Sequence, residues 1–435
     1  MKNCLRLAVV TWIAMGYANV VVAQSDIKPQ TQKQTTELAN STVYEAPKGK
    51  EVYIPSDLKD NDFTKEDSKW SFARCAYTND VIVFWEKPFG KDLSQAPDLE
   101  GQNMKVDLDN LLTRIQSFYN FYKNDLKFIK SGSNADRYRM MVMLNYSLEG
   151  TAYGGDYDGV IGALWISPNR VQDKKLNCIA HELGHSFQSM IACDKQGKGG
   201  MAGGFFEMTS QWMLWNVNPE WPTDENYHWK AFIDHANLRF LDSENIYHSA
   251  YMLEYWSMKH GLTIIADVFR EGMQGEDPAS TYMRMFNMSN EDFAREAVDC
   301  YSRLLTFDFP GKHEMNKKYA GEFVNYRPLQ VFGANVNKLD TKGKKTVKVK
   351  FAGADKNDGF AYRLVAIQDD AQATYGDIVT KQKGTVSLTL PANTKDVYLV
   401  VTGYPLGKYE PYTFNPYSQE KPAEPHIYIY TYYIK

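Results

Sequence analysis

Two histidines and a glutamate lie within five consecutive residues, in the segment His181-Glu182-Leu183-Gly184-His185. On an α-helix, residues four apart lie on one face, with Cβ atoms about 5–6 Å apart. His181 and His185 can therefore bind one metal ion through their imidazole nitrogens, while Glu182 lies beside the ion and can accept a proton from an activated water. This HExxH spacing predicts a zinc site. The alternative is a structural helix whose two imidazoles are only hydrogen-bonded.

A zinc ion that does chemistry needs a third protein ligand and a fourth position open to water. A metzincin would have glycine and histidine at positions 188 and 191, but this chain has Gln188 and Ile191, which excludes that class. Glu207 lies 22 residues after His185 and begins a second predicted helix. Its apolar neighbours favour a buried ligand over an exposed carboxylate: Phe205, Phe206, Met208 and Trp212. Glu207 is therefore the predicted third ligand, and Asp194, too far along the first helix, is a weaker candidate.

The set His181, Glu182, His185 and Glu207 resembles the gluzincin class of metallopeptidases, which includes thermolysin and the zinc aminopeptidases. The predicted order of elements is similar too: strand, backing helix, strand, edge strand, HExxH helix and glutamate helix. From about residue 50 to the end, the chain looks more closely like a family of uncharacterised secreted bacterial proteins with this motif and a β-rich C-terminal domain. Gluzincins often have an acidic residue four positions after the ligand glutamate, where it orients a histidine. Here that residue is Gln211, which is uncharged, so weaker activity is expected.

The resemblance implies hydrolysis of peptide bonds, with Glu182 as the general base that passes a proton from water to the leaving amine. The strand at 159–167, just before the active helix, is expected to pair with the substrate backbone as an edge strand. In the segment YHSAYMLEYWSMKHG, which resembles the oxyanion-stabilising segment of aminopeptidases, Tyr247 is the candidate donor, and His248 and Tyr251 compete with it. Packing of tyrosines, of which the chain has 29, is an equal alternative. The other histidines show no ligand spacing and are interpreted as surface or core residues: His228, His235, His260, His313 and His426.

The elements that must position these residues begin with residues 50–195, which are predicted to hold the sheet and the active helix. Strand and helix signals mix from about residue 50 to 168. Residues 106–130 place apolar side chains three to four apart, which predicts an amphipathic helix, and the apolar run at 159–167, bounded by GGDYD and PNR, predicts a strand. The dipeptide Pro168-Asn169 is expected to open the helix that carries the motif. Gly184 lowers helix propensity by up to about 1 kcal/mol relative to alanine, so we expect it to permit a close approach of another element.

Residues 196–324 are predicted to form a helical subdomain. It includes a helix from about 205 to 217, after a glycine-rich turn, and a later helix for which Ser289 is a plausible N-cap. Together with residues 50–195, this subdomain would complete a zincin-like metallopeptidase domain over residues 50–324. That domain would contain a mixed sheet, the HExxH helix and the helical subdomain.

From about residue 325 the apolar pattern changes to a period of two, which is typical of half-buried strands. The predicted strands, separated by Gly, Pro, Asn and Asp, are 346–351, 361–367, 385–390, 397–401 and 427–434. Five or more short strands with such punctuation are typical of an antiparallel sandwich. The predicted fold is therefore an α+β zincin-like domain followed by an all-β sandwich domain at 325–435.

The first residues indicate export. Lys2 and Arg6 precede a long apolar run, and Ala23 stands just before polar sequence, so residues 1–23 are predicted to be a cleaved signal peptide. The alternative is an uncleaved membrane anchor. Residues 24–49, rich in Gln, Thr, Ser and Pro, are predicted to be a flexible leader. No later segment is apolar enough to span a bilayer, so the mature protein is expected to be secreted, in the periplasm or outside the cell.

The composition limits the classes of partner. The net charge is −4, and no basic stripe is present, which argues against a nucleic-acid partner. Four cysteines remain after cleavage, Cys75, Cys178, Cys193 and Cys300, and they allow three pairings or none. Cys178 and Cys193 cannot pair if they share a straight helix, because fifteen residues separate them by about 22 Å. The sequence gives no indication of the oligomeric state.

The leading hypothesis is a secreted zinc-dependent endopeptidase or exopeptidase that acts on a peptide, protein or glycoprotein substrate. The motif and Glu207 carry it. The alternative is a catalytically weak or inactive zincin-like surface protein that binds glycan or protein through its β-sandwich domain. The uncharged Gln211 and the β-rich C-terminal region favour that alternative.

Overall fold

The computed structural model describes residues 35–38, 41–200, 203–312, 315, 318–341, 343–413, 415 and 423–435. The predicted signal peptide lies outside the described residues. Within the predicted flexible leader, β1 (Thr35–Leu38) and β2 (Ser41–Tyr44) pair as antiparallel strands. Farther along, the backbone oxygens of Lys48 and Lys50 accept hydrogen bonds from the buried guanidinium of Arg139. Two short strands and a contact of Lys48 with the sheet region therefore lie within the described part of this segment.

A five-stranded mixed sheet forms the first part of the core. Its strands are β3 (Cys75–Tyr77), β4 (Val81–Trp85), β5 (Met140–Leu144), β6 (Ala152–Tyr157) and β7 (Ile161–Ile166). The order is β3-β4-β5-β7-β6; β4, β5 and β7 run parallel, and β3 and β6 are antiparallel at the two edges. Every residue of β4 and β5 is buried, as expected for apolar strands covered on both faces.

The apolar strand predicted at 159–167 is β7, and it lies inside the sheet between β5 and β6. The prediction that this strand would be the edge that pairs with a substrate was therefore wrong. The residues before it, with Gly154 and Gly155 in tandem, have the composition of a turn, but they fold back on β7 as the edge strand β6. Glycine is tolerated in a strand where another backbone approaches closely, and α3 makes that approach here.

Helices cover the sheet. They are α1 (Leu108–Asn124), α2 (Asn134–Arg137) and α3 (Asn177–Cys193), of which α3 packs on β6 and β7. The prediction that Pro168-Asn169 opens the motif helix was wrong. Pro168–Arg170 is a separate single turn of 3-10 helix, and Leu176, with a left-handed φ of 52°, separates it from α3. The helix therefore begins only four residues before His181.

The next part of the chain is helical, as predicted. Its helices are α4 (Gly204–Val217), α5 (Trp221–Asp224), α6 (Asn226–His235), α7 (Tyr251–His260), α8 (Ile264–Glu271), α9 (Pro278–Met285) and α10 (Asn290–Leu304). The predicted helix at about 205–217 is confirmed by α4. The predicted cap of α10 is confirmed too, because the Ser289 hydroxyl accepts a hydrogen bond from the backbone N–H of Asp292.

The C-terminal part is antiparallel. Its strands are β8 (Ala334–Leu339), β9 (Thr346–Gly353), β10 (Asp358–Gln368), β11 (Ala373–Tyr375), β12 (Lys383–Thr389), β13 (Thr394–Pro405) and β14 (Tyr430–Ile434). They form one sheet in the order β11-β10-β13-β8 and another in the order β12-β9-β14. The five strands predicted from the alternating pattern are confirmed.

The sheet that contains β10 and β13 is buried on both faces. One face shares an apolar cluster with the three-stranded sheet, including Val349, Tyr362 and Leu399. The opposite face belongs to the main core, and α10 packs on it. The contact is also polar, because Arg363 Nη1 of β10 forms an ion pair at 2.5 Å with Asp299 Oδ1 of α10. Helical and β-rich parts therefore share one core.

The four cysteines that the structure describes are all free thiols, so none of the three pairings forms. Cys178 and Cys193 lie at opposite ends of α3, which confirms the argument against that pair. Within the described ranges, we find no helix whose length and apolar character would let it cross a bilayer.

Candidate metal centre

Three potential ligands converge between α3 and α4. The Nε2 atoms of His181 and His185 are 3.1 Å apart, and Glu207 Oε2 lies 3.1 Å from each of them. A search of the described residues for histidine, cysteine and carboxylate side chains close enough to hold a metal ion finds these three. Asp194 is not part of it, because its Oδ1 accepts a hydrogen bond from the backbone N–H of Asn134.

The two helices meet where α3 has no side chain. A Cβ atom built on Gly184 would lie 2.8 Å from Ser210 Oγ and 3.3 Å from Ser210 Cα. This contact confirms the predicted close approach at Gly184. Ser210 lies one turn after Glu207 on α4, so the close contact of the helices brings the Glu207 carboxylate to the two imidazoles.

Gln211 holds the far side of the His181 ring. Its Nε2 atom donates to the backbone oxygen of Tyr247 at 3.2 Å, and its Oε1 atom lies 3.3 Å from His181 Nδ1. A backbone oxygen can only accept, which fixes the amide with Oε1 toward the imidazole. The Nδ1 atom of His181 therefore donates, and its Nε2 atom presents a lone pair to Glu207.

Gln188 does the same for His185. Its Nε2 atom donates to the backbone oxygen of Phe206 at 2.9 Å and to Ser210 Oγ at 3.0 Å. Its Oε1 atom lies 3.0 Å from His185 Nδ1. By the same reasoning, His185 donates through Nδ1 and presents the lone pair of Nε2 to the site. The two imidazoles thus have the tautomer that a metal ligand needs.

The spacing of these atoms suits zinc. A tetrahedral zinc ion bound at about 2.0–2.1 Å by each ligand places the ligand atoms about 3.3 Å from one another. The three distances of 3.1 Å are close to that value. Two nitrogen lone pairs and a carboxylate oxygen face the same point, and a cation at that point would stabilise them. The residues present therefore fit a zinc ion.

The ligands also shift each other's ionisation. Burial of Glu207 would raise the pKa of its carboxyl, but when His181 and His185 are protonated, and so carry hydrogen on Nε2 as well, their hydrogen bonds and charges hold that pKa well below its usual range. Burial of His181 would lower the pKa of its imidazole, but the carboxylates of Glu207 and Glu182 raise it above its ordinary value. A divalent cation would therefore compete with protons for the imidazoles.

A cleft of about 570 Å³, which we call the metal cleft, opens onto this group. The buried carboxylate of Glu182 lines it together with the three ligands and Ser189. The edge strand β6 forms one wall through residues 152–156. Gly154 of β6 packs directly on the backbone of Glu182, so this wall is fixed to the same helix turn as the motif. Glu182 and the edge strand β6 therefore line the same cleft.

The candidate oxyanion donors have separate environments. Tyr247 lines the metal cleft with 37% of its surface exposed, and its ring stacks on His181 with centroids 6.2 Å apart. His248 is not among the cleft-lining residues; its Nδ1 atom lies 2.6 Å from His228 Nδ1. Tyr251 is buried, and its ring packs edge-on against Trp215 at 5.6 Å, in the core. Of the three, the structure brings only Tyr247 to the ligands.

His228 belongs to the polar network behind the site, which the sequence reasoning missed. It is buried, and its Nε2 atom lies 3.3 Å from Gln211 Nε2 and 3.2 Å from Glu225 Oε2. It also lines a smaller cavity of about 270 Å³ that shares His181, Glu182 and Tyr247 with the metal cleft. The spacing of 43 residues from His185 to His228 predicted no contact, because the helices α4 and α5 and their connecting segments lie between them.

The other histidines lie outside the ligand group. His260 Nε2 is 2.7 Å from the Tyr282 hydroxyl, and His426 Nε2 is 2.8 Å from Asp358 Oδ1. His313 lies outside the described residues. His228 is buried and His260 and His426 are exposed, so the interpretation of these histidines as surface or core residues holds for all three.

Structural comparison finds distant similarities. One is to the ZmpB metallopeptidase from Clostridium perfringens, at 17% identity over 72% of this chain and 67% of that chain, with a TM-score of 0.30. A second is to the catalytic module of the metalloprotease ZmpA from Clostridium perfringens, at 12% identity over 80% and 66% of the chains, with a TM-score of 0.29. A third is to a functionally unknown conserved protein from Bacillus anthracis, at 10% identity over 76% and 71% of the chains, with a TM-score of 0.29.

At these scores the similarities assign no activity. No curated protein matches the sequence. Residues 44–435 match the profile of the family described as "Family of unknown function (DUF6055)". The match covers nearly the whole chain, and the chain belongs to this family.

Proposed function

We propose that this protein is a zinc metallopeptidase that hydrolyses peptide bonds, with Glu182 as the general base. The observation that carries the proposal is the convergence of His181 Nε2, His185 Nε2 and Glu207 Oε2 at 3.1 Å from one another. A zinc ion bound there would supply Lewis-acid activation of the scissile carbonyl and of the attacking water. The three ligands would leave the side of the ion that faces the metal cleft open to the scissile carbonyl and the attacking water.

The residues of the chain would divide the remaining work. Glu182 faces the same cleft and would accept the proton of the attacking water, then give it to the leaving amine. Tyr247 stacks beside His181 and would donate its hydroxyl hydrogen to the oxyanion. The substrate would lie extended along β6, because that strand ends the sheet and its residues 152–156 line the metal cleft.

The proposal also includes the domain organisation and the export of the protein. We assign residues 50–324 to a zincin-like domain and residues 325–435 to a sandwich, whose two sheets enclose an apolar cluster of their own and which packs on the first domain through α10. The apolar run before Ala23 supports export of the mature protein. Peptides, proteins or glycoproteins outside the cytoplasm would then be the substrates.

Metal analysis and peptide-library cleavage by the purified full chain test the proposal. We expect about one zinc per chain and cleavage that a chelator abolishes. Glu182→Gln should retain the zinc and lose cleavage by about 100-fold or more. The matched control is Glu424→Gln, which changes an exposed glutamate of the C-terminal part. A wild-type chain that holds no more zinc than His181→Ala, and cleaves no peptide with zinc added, would refute the proposal.

A second candidate function, binding of an anionic glycan, is favoured by the outer face of the three-stranded sheet. Lys350 lies between Thr385 on one neighbouring strand and Tyr433 on the other. Lys348 pairs with Ser387, and the exposed positions of β9, β12 and β14 carry no acidic residue. Cationic and hydroxyl side chains on one flat face can pair with the carboxylates and hydroxyls of an acidic polysaccharide.

Binding assays on the full chain separate this function from catalysis. Polygalacturonate should bind to the wild type and more weakly, by about 10-fold or more, to a Lys348→Ser, Lys350→Ser double variant, with zinc content unchanged. The control is Lys198→Ser, Lys408→Ser, which removes two exposed lysines elsewhere. Equal binding by both double variants, or equal binding to neutral dextran, would exclude this candidate.

A further inference from the structure

The proposed metallopeptidase site is held by two amides where a carboxylate would also satisfy the histidines. Gln211 accepts from His181 and donates to the backbone of Tyr247; Gln188 accepts from His185 and donates to the backbone of Phe206. Each glutamine thus joins an imidazole to a second segment of the site. Each link therefore needs a donor as well as an acceptor. An amide provides both, whereas an ionised carboxylate can only accept.

The segment that Gln211 holds carries Tyr247. Before it, Ile246 is buried against Gly204, where a Cβ would lie 2.1 Å from the Ile246 side chain. After it, His248 contacts His228. Between these anchors, the backbone oxygen of Tyr247 receives the Gln211 amide at 3.2 Å. The position of the Tyr247 ring over His181 therefore depends on the same amide that orients His181.

The segment that Gln188 holds carries a ligand. Phe206, whose backbone oxygen accepts from Gln188 at 2.9 Å, immediately precedes Glu207 in the first turn of α4. Gln188 also donates to Ser210 Oγ, on the next turn of the same helix. The amide therefore fixes the start of α4, and with it the Glu207 carboxylate, relative to His185.

We propose that Gln211 and Gln188 are positioning residues that must be amides, Gln211 to hold Tyr247 over His181 and Gln188 to hold Glu207 against His185. A glutamate at either position would still accept from the imidazole. It would place a carboxylate oxygen against a backbone oxygen, and the second segment would lose its anchor. The departure from an acidic residue at position 211 is therefore a requirement of this site.

The test is a crossed pair of isosteric variants, Gln211→Glu and Gln188→Glu, in the full chain. Hydrogen exchange reads out the two segments without any need for activity. Gln211→Glu should speed exchange of the backbone amides at 245–250 by about 10-fold or more and leave those at 204–210 unchanged. Gln188→Glu should do the reverse. The proposal is wrong if neither variant changes exchange at either segment, or if each variant changes exchange equally at both segments.

The visible spectrum of a bound metal ion distinguishes a variant that moves a ligand from one that only damages the fold. With cobalt(II) bound in place of zinc, Gln211→Glu should shift the visible bands only slightly, because His181 keeps an acceptor and the metal keeps its ligands. Gln188→Glu should change the spectrum more, because Glu207 shifts as well. A spectral change in Gln211→Glu as large as that in Gln188→Glu contradicts the proposal. If either glutamate variant fails to fold, Gln211→Met and Gln188→Met, which also lack a donor, replace it in the exchange experiment.

Steady-state kinetics tests whether the Gln211 amide matters for the proposed peptide cleavage. Gln211→Glu should lower kcat by about 10-fold with KM nearly unchanged, and adding Tyr247→Phe should cost little more, because both act on one group. Full additivity of the two changes would contradict the inference. If the wild type cleaves nothing, the proposed function fails, while exchange and cobalt spectra still decide the role of the two amides.

Discussion

The backbone oxygen of Glu182 lies where a side chain on Gly154 would have to be, since a Cβ built on Gly154 would be 1.9 Å from it. The edge strand β6 and the motif helix α3 therefore touch backbone to backbone beside the candidate metal site. A strand residue with any side chain would keep them apart.

We expect Gly154→Ala to separate β6 from α3. The added methyl group meets backbone that cannot rotate away, so the free energy of unfolding should fall by about 1–3 kcal/mol, and peptide cleavage should fall further, because the cleft wall moves. Chemical unfolding and kcat/KM measure the two effects. Gly407→Ala is the control, because a Cβ at Gly407 meets nothing within 4 Å. Equal stability of both variants would argue against this contact.

Zinc should stabilise the folded chain through Glu207. A ligand present at about 100 times its Kd adds about 2.7 kcal/mol to the free energy of unfolding. In Glu207→Ala, with two imidazoles left, most of this gain should disappear. Thermal unfolding of both proteins with added zinc and with a chelator gives the comparison. An equal zinc-dependent rise in Tm for the variant and the wild type would show that Glu207 is not a ligand.

Tyr247→Phe should lower kcat by about 10- to 100-fold with little change in KM or in zinc content, because the hydroxyl acts on charge that develops in the transition state. Tyr227→Phe is a suitable control. Tyr227 is an exposed tyrosine that lines the smaller cavity and not the metal cleft. A loss of the same size in both variants would point to a general role of tyrosines in binding.

The chain should lose stability in mild acid through His248. Burial, and the nearby charges of His228 and His235, lower the pKa of His248 to about 4 in the folded protein. In the unfolded chain the imidazole titrates near 6.5, so between about pH 6.5 and about pH 4 only the unfolded state binds the proton. The free energy of unfolding should therefore fall across this window as the pH is lowered.

Urea unfolding of the wild type and of His248→Gln across that window measures the contribution. The variant should show a shallower decline than the wild type as the pH falls, and the difference between them should be constant above about pH 7.5. Parallel curves would mean that His248 does not titrate between the two states in this range.

The three candidate ligands could be picked out from the sequence because their pattern is local. His181 and His185 are one helical turn apart, and Glu207 stands out as a carboxylate among aromatic residues. The strands after residue 325 could be predicted for a similar reason, since alternation is visible along each strand. In both cases neighbours in the sequence are sufficient to determine the pattern.

The parts that were missed depend on contacts between distant segments. Gly154 and Gly155 have the composition of a turn, and only the packing of α3 on β6 explains why glycine is needed in a strand. His228 has no spacing to the motif, and it reaches the site through Gln211 and Glu225. The double role of Gln211 depends on the backbone oxygen of Tyr247, 36 residues later. None of these partners can be read from adjacent residues.

Both faces of the sheet formed by β8, β10, β11 and β13 are covered by other parts of the chain. Cutting the chain near residue 325 would strip an apolar surface from α10 on one fragment and bare the matching strands on the other. Either half produced alone is therefore expected to aggregate, and experiments on this protein should keep the two halves on a single polypeptide.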